Sequence, residues 1–272
     1  MKSSASLKAK HLPMKVLLPL LLSLTLLSCR DDFPGRSETS GTRLTEVYFD
    51  KDKVYVYEYN SDGLLAVEKS KWLYSAYRYE PRVVYMDLYE DPGLYSSSSV
   101  ISEKSLNRKD WVSPQNTKKT TTVQYRLDQD KKLISSTERT PDAWMEYIYG
   151  DGSRITEVRM YYSGQLGGVR EYTYDSNGNL TRDEHYSILK SGERQVNSIT
   201  EYEFDQGKNP YFHLAPARLP GERTNPNNIT RKKYSVSGYP DSETRYTYTY
   251  NSDGYPVSRD QGDMMTYYKY GN

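Results

Sequence analysis

From residue 43 onward the chain alternates aromatic and polar positions. "VYVYEYN" (54–60), "AYRYE" (76–80), "REYTYD" (170–175), "TEYEFD" (200–205) and "TRYTYTYN" (244–251) each place a Tyr or Phe at every second position, with Thr, Glu, Arg or Val between. A period of two puts all the rings on one face of a strand and the polar residues on the other. Tyr and Thr also favour the extended backbone. Between such runs lie Asp62-Gly63, Asp151-Gly152, Asn177-Gly178 and Asp253-Gly254, pairs that predict tight hairpin turns with positive φ. The last aromatic before a turn falls at Tyr125, Tyr149 and Tyr174, intervals of 24 and 25 residues. Each interval fits two strands and two turns.

No apolar stripe at a 3.6-residue spacing persists for three turns anywhere after residue 30. The predicted fold class is therefore all-β: an antiparallel meander of roughly ten to fourteen strands in one sheet, curved or partly closed to protect its edges. Two segments interrupt the repeat, 96–115 and 208–230, and loops of such length are places to look for function. A transmembrane barrel would need an outward apolar band about 25 Å tall. The face opposite the tyrosines is instead Thr, Glu, Arg and Asp, and the mean hydropathy is −0.87, so the predicted sheet is water-soluble.

The first residues have a different character. Lys2, Lys8, Lys10 and Lys15 precede the apolar run "VLLPLLLSLTLL" (16–27), which has the layout of a secretory signal, and Met14 before Lys15 offers an alternative start. "LLSC" (26–29) resembles the lipobox of bacterial lipoproteins, which implies acylation of Cys29, the one cysteine of the chain. "RDDF" (30–33) resembles the surface-export signal of Bacteroidetes-type lipoproteins. The expected organisation is a signal peptide (1–28), a lipidated polar tether (29–42) and a single β-sheet domain (43–272). Its expected location is the outer membrane, anchored through the lipid and displayed at the cell surface.

With the four lysines of the signal removed, 33 basic residues face 36 acidic ones, a net charge of −3. A near-neutral, mixed-sign surface gives no footprint for nucleic acid. With its one cysteine assigned to the anchor, the domain is expected to be held by packing without disulfides.

"YTYDSNGNLTR" (172–182) resembles the YD repeat of Rhs-type proteins, Tyr-x-Tyr-Asp-x-x-Gly-x-Leu, and "YEYNSDGLL" (57–65) and "YTYNSDGYP" (248–256) are near copies. With "KNPYF" (208–212) and "NPNNIT" (225–230), the chain resembles a family of Bacteroidetes-type lipoproteins of unknown function. That resemblance implies a porin-like sheet or open barrel and no particular activity.

Candidate chemistry is sparse. "DSNGN" (175–179) superficially matches the start of an EF-hand loop, yet its Gly is fourth rather than sixth, so it reads as a turn and no metal is expected. Outside the signal the chain has two histidines, His185 and His213, with neither a zinc spacing nor a nucleophile elbow. No cofactor and no enzymatic activity are expected, although 36 acidic residues leave open a glycosidase pair that nothing in the sequence selects. The 29 tyrosines, with Trp72, Trp111 and Trp144, suggest either cross-strand packing or a surface that stacks against a ligand. Tyr172, Tyr174, Tyr248, Tyr250 and Trp144 are the candidate stacking residues, with a glycan or a partner protein of the envelope or host as ligand. The alternative role is a polysaccharide-active enzyme or an accessory subunit of an uptake system.

Overall fold

The computed structural model describes residues 43–91, 110–137, 142–150, 154–212, 214 and 220–271. Cys29, the tether, His213 and Asp151-Gly152 lie outside the described residues. Among the described residues the strands are β1 (Arg43–Phe49), β2 (Asp52–Tyr59), β3 (Leu65–Ser70), β4 (Leu73–Glu80), β5 (Val83–Glu90), β6 (Lys119–Leu127), β7 (Leu133–Thr137), β8 (Ala143–Tyr149) and β9 (Ile155–Tyr162). They continue with β10 (Gln165–Tyr174), β11 (Leu180–Ile188), β12 (Arg194–Lys208), β13 (Asn227–Val236), β14 (Ser242–Arg245), β15 (Thr247–Tyr250), β16 (Pro256–Asp260) and β17 (Met265–Gly271). One 3₁₀ turn, Glu222–Thr224, precedes β13.

Each strand except β14 pairs antiparallel with the next in sequence, and β1 pairs with β17, so the meander closes on itself. The one seam lies at Tyr246, where β14 leaves off pairing with β13 and β15 takes up pairing with β16. The structure is thus a nearly closed seventeen-strand barrel rather than ten to fourteen strands. The strands missed by pattern alone are short or poor in aromatics, such as "LISST" (β7) and "PVSRD" (β16).

The alternation sorts as the pattern predicts. Tyr57, Tyr147, Tyr172 and Tyr268 point inward and are buried, packed with Val47, Val84, Val158, Leu65 and Leu180. Outward positions carry opposite charges on facing strands: Glu46 opposite Lys269, Glu146 opposite Arg159, Arg182 opposite Glu201, and Glu203 opposite Arg231. Arg182 and Arg231 reach their partners at 2.8 and 2.7 Å. A basic residue on a lipid-facing wall costs about 2–4 kcal/mol at the bilayer midplane, so a wall built of these pairs faces water.

Four of the strand-ending turns share one geometry. At Asn60 the side-chain Oδ1 accepts the N–H of Asp62 and Leu64, and Gly63 N–H donates to the Asn60 carbonyl. Asp128, Asp175 and Asn251 repeat this arrangement. Positive φ falls on the fourth residue of each turn, namely Gly63, Lys131, Gly178 and Gly254, and not on the Asp or Asn before it. The turns are therefore one residue wider than the predicted Asn-Gly and Asp-Gly pairs, and a bulge in the pairing register beside Tyr59 and Tyr174 takes up the extra residue. Burial alone would raise the Asp175 carboxyl, but hydrogen bonds from Asn179 and from backbone N–H groups hold its pKa below the usual value.

On this same rim, tyrosine hydroxyls donate to carbonyls near the start of an adjacent strand. Tyr59 bonds Leu44 (2.6 Å), Tyr79 bonds Leu65 (2.8 Å), Tyr149 bonds Leu133 (3.0 Å), Tyr174 bonds Ile155 (2.7 Å), Tyr248 bonds Ile229 (2.9 Å) and Tyr270 bonds Pro256 (2.6 Å). A buried hydroxyl needs a partner, and here it ties strand end to strand start. Much of the tyrosine content thus has a structural use.

The insertion between β12 and β13 enters the barrel at this rim. Leu214 is buried among Leu44, Val47, Val54, Tyr57 and Tyr268, and Tyr211 packs edge-on to Tyr268. Arg223 reaches Glu68 on β3 at 2.7 Å. Asparagines of the two insertion motifs latch it. Asn209 Nδ2 donates to the Glu222 carbonyl, and Asn225 Oδ1 accepts Leu180 N–H at 2.7 Å. Asn227 is bonded to Asn179, both through its N–H and through its Oδ1. The described part of the segment is an internal plug.

Candidate functional site

A cavity of about 390 Å³ lies inside the barrel against β10 to β14. It is lined by Arg170, Asp183, Thr200, Tyr202, Lys232, Tyr234, Ser242, Thr244 and Tyr246. The register explains the convergence: Asp183, Thr200, Tyr234 and Ser242 face one another across four strands, and Tyr202, Lys232 and Thr244 form the next row. Because these are alternate positions, their neighbours Arg182, Glu201, Glu203, Arg231, Lys233 and Glu243 point outward into the charged wall.

The floor is buried and polar. Asp183 is 8 % exposed and Thr200 also 8 %, whereas Tyr234 is 41 % exposed, so the lining grades from a closed floor to an accessible mouth. Arg170 Nη1 donates to Asp183 Oδ2 at 3.2 Å. Asp183 Oδ1 is buried with no hydrogen-bond partner. Burial raises the Asp183 carboxyl, and the Arg170 charge opposes that rise without cancelling it. Burial also pushes the Tyr202 phenol well above its ordinary value. Burial and the nearby Arg170 charge both lower His185, which keeps that imidazole neutral at pH 7. On the plug side of the cavity Lys232 Nζ bonds the plug residue Glu222 at 2.5 Å.

The sequence-predicted stacking residues are dispersed. Tyr172 is 5 % exposed in the core, and Tyr174 and Tyr248 are held by their backbone bonds. Tyr250 is 40 % exposed, its hydroxyl bonded to Asp205. Trp144 is 39 % exposed on the outer wall and stacks on Tyr161 at 4.0 Å with 3° between planes. None of the five lines the cavity. Its rings are Tyr202, Tyr234 and Tyr246 instead. The signal that marks them is a charge or small hydroxyl at inward positions, Asp183 in "LTRDEHYSI" and Lys232 in "NNITRKKYSV", where the pattern elsewhere has Val, Leu or Tyr.

Comparison with solved structures places this architecture. A porin-like protein from Bacteroides vulgatus ATCC 8482 superposes with a TM-score of 0.50 at 12% identity, covering 85% of this chain and 99% of that one. The fold is porin-like. A second porin-like protein, from Bacteroides uniformis ATCC 8492, gives 0.49 at 11% identity over 86% of this chain and 100% of its own. No family model matches the sequence. No curated protein matches it either.

Proposed function

We propose that this protein is a non-catalytic binding lipoprotein of the outer membrane, anchored through Cys29, displayed at the cell surface and taking a glycan into its interior cavity. The observation that carries this reading is the division of the barrel. Its outer wall is paired charge, while its inner face keeps a polar, tyrosine-lined cavity of about 390 Å³. Pockets of this size suit small ligands, and sugars favour aromatic faces flanked by hydroxyls and charged groups. Arg43 begins β1 at the plugged rim, beside Gly63, whereas Tyr234 and Ser242 flank the hairpin at the other rim.

Binding without chemistry is favoured because the lining offers one carboxylate, Asp183, where glycoside hydrolysis uses two. The test is a glycan array probed with purified protein, alongside palmitate labelling of cells that express the wild type or Cys29→Ser. Label on the wild type alone and saturable glycan binding support the proposal. New reducing ends on incubation with polysaccharides would replace it with the enzyme reading, and capture of an envelope protein with a silent array would favour a protein ligand.

A further inference from the structure

Resting on the glycan reading, we infer that the cavity is selective for a neutral pyranose, bound by a vicinal diol to the Arg170–Asp183 pair and covered by Tyr234. The argument starts from Asp183. Its Oδ2 is engaged by Arg170 at 3.2 Å, while its Oδ1 is buried and lacks a donor. A buried carboxylate oxygen left unpaired is costly, and the group that relieves it must bring a proton donor into the floor of the cavity. Water can do so partially, but a hydroxyl on a shaped ligand does so while filling the space.

The donor's charge is set by the surroundings. Arg170 on the floor and Lys232 on the plug side, itself paired with Glu222, flank the carboxylate. An ammonium ligand at Asp183 Oδ1 would sit beside the Arg170 guanidinium that already engages the carboxylate. A ligand carboxylate would meet Arg170, but it would be forced against Asp183, whose own negative charge repels it at short range. A neutral hydroxyl suffers neither repulsion. Two adjacent hydroxyls match the pair best: one donates to Asp183 Oδ1 and the next accepts from the Arg170 guanidinium, which has five N–H donors and uses one on Asp183.

The remaining lining fits the rest of a pyranose. Thr200, Ser242 and Thr244 each present a hydroxyl able to donate or accept, and Tyr202 adds a phenol held protonated by burial. Tyr234, directly opposite Thr200 in the register and 41 % exposed, supplies a ring face at the mouth. Its position above the floor suits stacking on the apolar C–H face of a sugar whose hydroxyl edge points down. One sugar, not a long chain, fits in about 390 Å³, so the recognised unit is a terminal residue or side branch.

The experiment is titration calorimetry of the full folded protein with neutral hexose oligosaccharides and with matched uronic-acid oligosaccharides. Wild type, Asp183→Asn, Tyr234→Ala and Trp144→Ala are compared, and circular dichroism and melting verify that each variant folds. Expected are binding of the neutral set, at least tenfold weaker binding of the uronates, and a loss of tenfold or more in Asp183→Asn and Tyr234→Ala with Trp144→Ala unchanged. Tyr234→Ala removes an exposed ring and keeps the assay decisive where Asp183→Asn fails to fold. Preference for uronates overturns the inference. Binding lost in Trp144→Ala and kept in Tyr234→Ala moves the site to the outer wall and overturns it while leaving the glycan reading intact. Failure of every oligosaccharide to bind overturns both.

Discussion

Asn225 joins the plug to the barrel wall, and its removal tests whether the insertion is a structural part of the fold. The side chain is 1 % exposed, its Oδ1 accepts Leu180 N–H at 2.7 Å, and its Nδ2 donates to the Gly221 carbonyl at 3.0 Å. Asn225→Ala leaves the buried Leu180 N–H without this partner, while the Gly221 carbonyl keeps the Thr224 N–H and hydroxyl. One orphaned buried donor costs about 1–3 kcal/mol. For a domain of this size 1 kcal/mol moves the melting temperature by about 2–4 °C, which places the fall at about 2–12 °C. Urea unfolding followed by tyrosine fluorescence gives the free energy, and limited proteolysis reports whether 208–226 becomes cleavable before the barrel does. Asn225→Asp sharpens the test. Its carboxylate still accepts from Leu180 but faces the Gly221 carbonyl with no donor, and protonation restores one. Burial raises the folded-state pKa of that carboxyl, so the variant is expected to approach wild type below about pH 4 and to lose stability as pH rises through the folded value. A destabilisation under 1 kcal/mol in Asn225→Ala, with no change in cleavage, would refute the latch.

The turn geometry predicts substitutions of opposite sign. Gly178→Ala puts a side chain at φ 92°, against the Arg154 guanidinium, and is expected to cost more than about 1 kcal/mol, whereas Lys131→Gly relieves φ 66° and is expected to be neutral to stabilising in urea midpoint. Tyr174→Phe deletes the hydroxyl bond to Ile155 and should cost about 0.5–1.5 kcal/mol, measured the same way. Burial pushes the Tyr149 phenol up to about 12 and raises Tyr172, Tyr174, Tyr202, Tyr248 and Tyr270 as well. A raised phenol stabilises the fold below its unfolded value near 10 and loses that contribution as pH rises through the folded one. Stability should therefore drop steeply above pH 10, with absorbance near 295 nm showing a set of tyrosines that ionises only on unfolding.

The alternation of Tyr with Thr, Glu and Arg was enough to read the fold class and the sorting of rings to one strand face and charges to the other, because both faces of a strand are local consequences of a period of two; that the ring face turns inward is seen only in the closed barrel. The intervals between Tyr125, Tyr149 and Tyr174 do span one hairpin each, β7 with β8 and then β9 with β10. Closure was not legible, since the pairing of Val47 with Tyr268 joins residues that share no local pattern. The plug was read as a loop because "KNPYF" and "NPNNIT" have no periodicity, and their asparagines act by side-chain bonds to distant backbone. The cavity escaped for a related reason. Asp183, Thr200, Tyr234 and Ser242 meet only once the register of four strands is fixed, while each in isolation reads as one more polar or aromatic strand residue.

The pairing of β1 with β17 also governs how the chain reaches this state. Thr45 bonds the Lys269 carbonyl and Asp50 N–H the Met265 carbonyl, contacts that span 224 and 215 residues. Every other strand pair forms from near neighbours, so the sheet can grow hairpin by hairpin, yet it carries two bare edges until its first and last strands meet. Long-range pairing of this kind is slow, and bare edges invite pairing between molecules. Closure is therefore the step at which refolding divides between monomer and aggregate. Removing β17 is predicted to yield an open, self-associating sheet rather than a smaller barrel.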